Sequence, residues 1–221
     1  MTDSDPPAAA RIAILVYDGV EPIDIGGTYG VFSMARRVVP GLGFCTVAQS
    51  PAPVTLSGGL RMIPDHDFAD CPAAEALVVC GGPGWPAERD KPAVLDFIRA
   101  RAAGSIVASV CTGGLILAAT GLLDGGPATT RRHGIGDEEP PLDFLGRLHP
   151  GVAPIEALVV DGGAVITGGG VSLAIDLSLH LLGRLFGDAA ARDVAEVIEY
   201  NTAWRANRDN LKTVAADGAA P

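Results

Sequence analysis

Apolar and polar positions come in blocks along this chain. Residues 11–17 (RIAILVY) and 76–80 (ALVVC) are continuous apolar runs apart from Arg11, and 43–49 and 106–110 read as further strands. Short runs without a polar face are typical of strands buried on both sides, as in parallel sheets. Segments with helical spacing separate them. Residues 23–37 offer Ile23, Tyr29, Val31, Phe32 and Met34 for packing. Residues 90–102 open with Asp90 as N-cap candidate and Pro92 in the first turn, and Gly104 closes them. Further helices are predicted over 112–120, within 137–148, over 172–186 and, as one or two pieces, over 189–208. In the helix over 172–186, Leu173, Leu177, Leu181 and Leu185 recur at four-residue spacing. Asp161-Gly162-Gly163 between two apolar runs predicts a hairpin, and Gly58-Gly59 a second hairpin or arm. Ala128 to Thr130 is a candidate short strand.

Strands alternating with helices predict an α/β sandwich around a mostly parallel sheet. With no linker and no internal repeat, a single domain is expected over 11–210. The polar, Pro/Ala-rich residues 1–10 read as a flexible arm and 211–221 as a frayed tail. Ligands in such sheets sit at the carboxyl ends of strands. Three distinctive segments fall there: 18–24, 80–86 and 111–114.

Composition narrows the function classes. The 221 residues carry 26 acidic and 16 basic side chains, a net charge of -10. An acidic chain without a Lys/Arg cluster is a poor partner for nucleic acid or an anionic membrane. At 5% aromatic residues, base-stacking platforms are not expected either. No secretory signal pattern opens the chain, and no apolar run approaches the roughly 20 residues of a membrane span. The four cysteines, Cys45, Cys71, Cys80 and Cys111, form no metal-binding spacing with each other or with a histidine. Reduced thiols in a cytoplasm are the expectation, with no metal.

The candidate chemistry centres on Ser109-Val110-Cys111-Thr112-Gly113-Gly114, which joins a buried strand to a helix. This is the spacing of a nucleophile elbow, with Ser109 in place of the usual first glycine. Small neighbours suit the strained backbone of such a turn. A helix N-terminus there favours the thiolate, so a lowered thiol pKa is expected. The alternative is a buried structural cysteine. Gly81-Gly82-Pro83-Gly84 directly follows a strand, and the amides of Gly81, Gly82 and Gly113 are oxyanion-hole candidates. A plain tight turn is the alternative. Asp24 lies between Ile23 and Ile25, which suggests burial, a raised pKa and a protonated carboxyl. Its other reading is a helix N-cap. Of the histidines, only His133 is a pocket candidate; His180, four residues after Asp176, reads as its structural partner. Gly168-Gly169-Gly170 also follows a strand and precedes a helix.

Four segments, in this order, resemble the DJ-1/PfpI superfamily: EPIDIGGTYGVF, VVCGGPG, SVCTGGLILAATGLLDG and VITGGGVSLAIDLSLHLLGRLFG. They are most similar to the branch holding isonitrile hydratase and the amidotransferase-like domains of AraC-type regulators. The resemblance covers about residues 11–200. It implies a flavodoxin-like three-layer sandwich, commonly dimeric, with a cysteine on the elbow. It implies that Cys111 is the catalytic cysteine, followed by Thr112, with Asp24 as the acid near the sulfur. Protease-like or chaperone-like members carry His after the cysteine, and glyoxalase-type members a Glu near it; here Thr112 and Asp24 occupy those places. Two departures stand out. The branch often reads ATTH where this chain has ATTRRHG, so Arg131 replaces the histidine and His133 is displaced. The helix start often reads VTAGID, where Leu173 and Ala174 are bulkier. Arg131, His133, Gly169 and Leu173 are accordingly pocket candidates. No helix-turn-helix pattern follows, so a complete AraC-type regulator is not expected. The implied function is a cofactor-free isonitrile hydratase acting on a small molecule. A glyoxalase-like or hydrolase-like enzyme on a small carbonyl compound is one alternative, and a ligand-binding or redox-sensing domain is another. Residues 23–34 offer a surface for a homodimer.

Overall fold

The computed structural model describes residues 9–215. Its strands are β1 (Ala10–Leu15), β2 (Leu42–Ala48), β3 (Val54–Thr55), β4 (Arg61–Met62), β5 (His66–Asp67), β6 (Ala76–Val79), β7 (Ile106–Ser109), β8 (Pro127–Ala128), β9 (Ala153–Pro154), β10 (Val159–Asp161), β11 (Val165–Gly168) and β12 (Thr213–Ala215). Its helices are α1 (Pro22–Ile25), α2 (Val31–Ala35), α3 (Trp85–Glu88), α4 (Pro92–Ala102), α5 (Gly113–Ala119), α6 (Pro141–Leu148), α7 (Ala174–Phe186), α8 (Asp188–Val197) and α9 (Asn201–Asn210).

Eight strands form one sheet in the order β12-β10-β11-β7-β6-β1-β2-β5. Every neighbouring pair is parallel except β10 and β11, which form the hairpin around Asp161-Gly162-Gly163. The central strands are apolar throughout because helices cover both faces. The chain leaves β1 toward β2 on one side, while β6 and β7 lie on the other. Right-handed crossovers then place α1 and α2 on one face and α3 to α5 on the opposite one. Contacts agree: α2, α7 and α8 pack together, and α5 packs with α3, α4 and α6. The order reverses at β1 and β6, so a crevice opens at their carboxyl ends. The core residues Ile12, Ile14, Leu77, Ile116 and Leu117 are fully buried beneath it. Among the described residues, no helix is long and apolar enough to cross a membrane.

Several expectations need correction. Ala10 already pairs with Leu42, and Thr213–Ala215 pair with β10, so the sheet reaches past both ends of the range 11–210. The rest of the arm up to residue 8, and residues 216–221, lie outside the described residues. Asp90 does not cap α4: Lys91 holds that position without a side-chain bond, and Asp90 pairs with Arg89 at 3.3 Å. Pro92 sets the helix start instead, by its fixed φ. The helical run after β1 contains a π-turn, Gly26–Gly30, between α1 and α2. That extra residue per turn rotates the faces, leaving Ile23 and Tyr29 exposed while Val31 and Phe32 are buried. His180 pairs with Asp161 at 2.7 Å, and not with Asp176.

Candidate active site

The crevice holds the cysteine. Cys111 follows β7 with φ of 54°, a left-handed conformation that costs on the order of 1–2 kcal/mol in an L-residue. The turn is held from both sides. Its amide donates to the Gly169 carbonyl at 3.1 Å, and its carbonyl accepts from Thr130 Oγ1 at 2.5 Å and from the Gly114 amide at 3.1 Å. From β6 the chain presses directly on the elbow. A Cβ at Gly81 would lie 2.5 Å from the Thr112 nitrogen and 2.8 Å from Cys111 Cβ. Gly82, with φ of 143°, adopts a conformation open to glycine alone and donates its amide to Thr112 Oγ1 at 2.9 Å.

Asp24 arrives from α1 with its side chain fully buried. Its Oδ2 accepts the Gly81 amide at 2.8 Å. Oδ1 is buried with no hydrogen-bond partner, and the carboxyl group and the Cys111 thiol influence each other's ionisation. Burial pushes the Asp24 pKa up to about 7, reinforced by the charge of Glu21 and opposed by the Gly81 amide, the thiol and Arg131. Burial also pushes the Cys111 thiol up to about 12, with the charge of Asp24 adding to it. The backbone amides of Val171 and Thr112, and the charge of Arg131, pull the thiol the other way without prevailing. The expectation of a lowered thiol pKa is therefore overturned: desolvation outweighs the short helix α5 behind the sulfur. Near neutral pH the resting pair is a protonated thiol beside a carboxyl group divided between its two forms.

The glycine amides proposed as an oxyanion hole are already occupied. Gly81 is bound to Asp24, Gly82 to Thr112, and Gly113 donates to the Val110 carbonyl at 2.9 Å. The amides of Thr112 and Val171 are the backbone donors that favour the thiolate against burial. Gly169 supports the elbow through its carbonyl and packs against Leu173, whose Cδ1 would lie 2.6 Å from a Cβ there. Arg131 rests its Cβ against Gly170, and its Nη2 reaches both Glu138 oxygens at 2.6 Å. It contributes positive charge to both Cys111 and Asp24. His133 stands apart: its side chain is exposed on the loop beyond Arg131.

Two participants escaped the sequence reading. Val171 has φ of 60°, a genuine outlier for a β-branched residue, and its backbone amide favours the thiolate form of Cys111. Nothing in its residue type signals that. Tyr17 ends the first apolar run, and its hydroxyl donates to the Cys80 carbonyl at 2.9 Å. Burial, with Cys80, Asp24 and Cys111 nearby, raises its pKa well above the usual tyrosine value. Its place at a strand end was the available signal.

Behind the site, the π-turn Gly26–Gly30 and α7 nearly touch. A Cβ at Gly27 would lie 2.7 Å from Ala174 Cβ, and Ser178 Oγ donates to the Gly27 carbonyl at 2.7 Å. A cavity of about 890 Å³ lies elsewhere, between α7, α8, α9 and the β10–β12 edge. It is lined by Asp176, whose Oδ2 accepts from Tyr200 and Asn207.

The chain is 36% identical over 195 residues to isonitrile hydratase of Pseudomonas putida, covering 87% of this chain and 79% of that one. Among solved structures it resembles a THiJ/PfpI family protein from Pseudomonas syringae, with a TM-score of 0.77 and 32% identity, covering 91% of this chain and 79% of that chain. An AraC family transcriptional regulator from Pseudomonas putida shares the fold, with a TM-score of 0.69 at 19% identity, covering 86% of this chain and 99% of that chain. Residues 10–184 match the DJ-1/PfpI family, and the chain belongs to that family.

Proposed function

We propose that the protein is a cofactor-free cysteine enzyme that hydrates an isocyanide to an N-substituted formamide. The observation that carries this reading is the buried thiol–carboxyl pair, flanked by two amides. The 36% identity to isonitrile hydratase supports it. An isocyanide carbon needs a nucleophile and a proton at the same atom. Cys111 forms the carbon–sulfur bond while its proton passes to the Asp24 carboxylate. Asp24 then delivers that proton to the same carbon, giving a thioimidate. Water adds to the carbon–nitrogen double bond, with Asp24 taking one water proton and nitrogen receiving another. Collapse of the adduct breaks the carbon–sulfur bond and releases the formamide and Cys111. Negative charge that develops at the sulfur meets the amides of Thr112 and Val171.

The pair also weighs against peroxide sensing at Cys111. Peroxide reactivity needs a thiolate, and burial with Asp24 holds this sulfur as the thiol. A cytoplasmic homodimer is part of the same reading, with the exposed Ile23 and Tyr29 on its surface.

Wild type and Cys111→Ala mixed with cyclohexyl and p-nitrophenyl isocyanide provide the test. Formamide is expected to accumulate with wild type alone. Equal turnover by Cys111→Ala would show that the sulfur is not the nucleophile. Inactivity of both, with turnover of methylglyoxal by wild type, would move the function to small carbonyl compounds.

A further inference from the structure

The segment after β8 brings a cation to the cysteine elbow. Residues 128–130 are fixed in place by three bonds. The Ala128 carbonyl accepts the Ile155 amide at 2.9 Å, the Thr129 amide donates to Thr167 Oγ1 at 2.9 Å, and Thr130 Oγ1 donates to the Cys111 carbonyl. Arg131 is the next residue. Its stem fills the place of a side chain at Gly170, where a Cβ would lie 2.6 Å from both Cβ and Cγ of Arg131. Gly170 stands between Gly169, whose carbonyl holds the Cys111 amide, and the turn Val171–Leu173, which packs against α1, the element that carries Asp24. Backbone bonds on one side and packing on the other thus hold the Arg131 stem beside the thiol–carboxyl pair. Its charge acts on both members of that pair.

The head of this side chain is only partly used. Nη2 donates to both Glu138 oxygens at 2.6 Å. Glu138 reaches back because residues 135–138 form a turn: the Glu138 amide donates to the Ile135 carbonyl at 3.1 Å, and the Ile135 amide to Glu138 Oε2 at 3.1 Å. Nε and both hydrogens of Nη1 have no acceptor among the described residues, although the Arg131 side chain is only 11% exposed. Neither nitrogen is sealed from solvent. An isocyanide group has no net charge and gives a guanidinium nothing to hold. Nor does the cation make the cysteine a resting thiolate, since the thiol stays up at about 12. A planar guanidinium with free N–H groups is suited to a carboxylate.

We propose that Arg131 is a specificity-determining residue that holds a carboxylate on the substrate, so that the substrate class is an isocyanide bearing a carboxylate group. This rests on the reading of Cys111 and Asp24 given above. Water adds to the isocyanide carbon as described there, the carboxylate is unchanged, and the product is an N-formyl amino acid. Without Arg131, the neighbouring acids Asp24 and Glu138 would repel such an anion.

The test compares isocyanoacetate and 3-isocyanopropanoate with their methyl esters on wild type, Arg131→Gln and Arg131→Lys. Wild type is expected to favour the anions in kcat/KM by about 10-fold or more, the worth of a charge-assisted hydrogen bond. Arg131→Gln should abolish that preference, mainly through KM, with a thermal midpoint close to that of wild type. Arg131→Lys should keep part of it. Calorimetry with N-formylglycine and N-formyl-β-alanine, each beside its methyl ester, reads the same contact without turnover. Equal or faster turnover of the esters by wild type would overturn the proposal and leave the hydratase reading in place, as would a preference that survives in Arg131→Gln. If no isocyanide is turned over, but wild type binds either N-formyl acid and Arg131→Gln does not, the carboxylate contact stands and the hydratase reading falls. Absence of both turnover and binding would remove both.

Discussion

At the scale of single residues, the site is governed by one proton between Cys111 and Asp24. The thiol, held up at about 12, cannot attack as it rests; Asp24, at about 7, must receive its proton. Turnover is therefore expected to fall below neutral pH, as the carboxyl group becomes protonated and can no longer receive the thiol proton. Asp24→Asn should lower turnover by about 10²–10⁴-fold, the range for loss of a positioned acid–base group. Alkylation of Cys111 by iodoacetamide should become faster in the same variant, because the charge that opposes the thiolate is gone. Unchanged alkylation together with unchanged turnover would remove Asp24 from the mechanism. The residue types at Cys111, Thr112 and Asp24 were legible in the chain because each sits at a strand end among small or apolar neighbours. The sign of the thiol shift was not, since it depends on how completely the sulfur is desolvated.

At the scale of elements, the site is a meeting of strand ends and helix starts under close contact. Gly81 touches the elbow so tightly that Gly81→Ala must displace either β6 or Cys111. A loss of roughly 1–3 kcal/mol, typical of overpacking, is expected in urea unfolding, together with loss of activity. Val171 offers the reverse experiment. Val171→Gly keeps the amide, removes the penalty of φ 60°, and gives up a side chain that is 36% exposed. Its unfolding free energy should stay within about 1 kcal/mol of wild type, because the relief of strain offsets the greater freedom of glycine when unfolded. Loss of several kcal/mol would show that the Val171 side chain supports the site after all. The strands were readable because burial on both faces writes them as unbroken apolar runs. The π-turn Gly26–Gly30 was not readable, because a single extra residue leaves the composition of the segment unchanged while turning Ile23 and Tyr29 outward.

At the scale of the whole molecule, three buried carboxyl groups set the pH of greatest stability. Asp24 and Asp176 have pKa values raised to about 7 and about 6, mainly by burial, so the folded chain keeps protons that the unfolded chain releases near 3.8. Stability consequently falls as pH rises from about 4 through these values, by at most about 4 kcal/mol for Asp24. Asp161 acts in the opposite sense. Burial would raise its pKa, but His180 and Arg184 bring it well below the usual range, so its contribution is present above 3.8 and lost only in stronger acid. The net charge of -10 adds repulsion at higher pH. The thermal midpoint is expected to be higher at pH 5 than at pH 8, with the gap reduced in Asp24→Asn. Equal midpoints at both pH values, in wild type, would contradict the raised carboxyl groups. The layered architecture was legible because blocks of apolar strand and amphipathic helix alternate. The closing strand β12 was not: Thr213–Ala215 is too short and too polar to stand out from a tail, and it takes its conformation from the edge of β10.

The near contact of Gly27 with Ala174 gives this architecture an adjustable gauge. One side of it lies three residues from Asp24 and the other three residues from Val171, so the acid and the amide that flank the sulfur ride on the two surfaces that meet there. A methyl group more or less at either position resets the width of the slot without altering any group that reacts. Two chains with the same cysteine, threonine and aspartate can thus differ in the distance over which a proton must travel, and so in what they transform. Selection for a new substrate can act on inert carbon first and leave the chemistry intact.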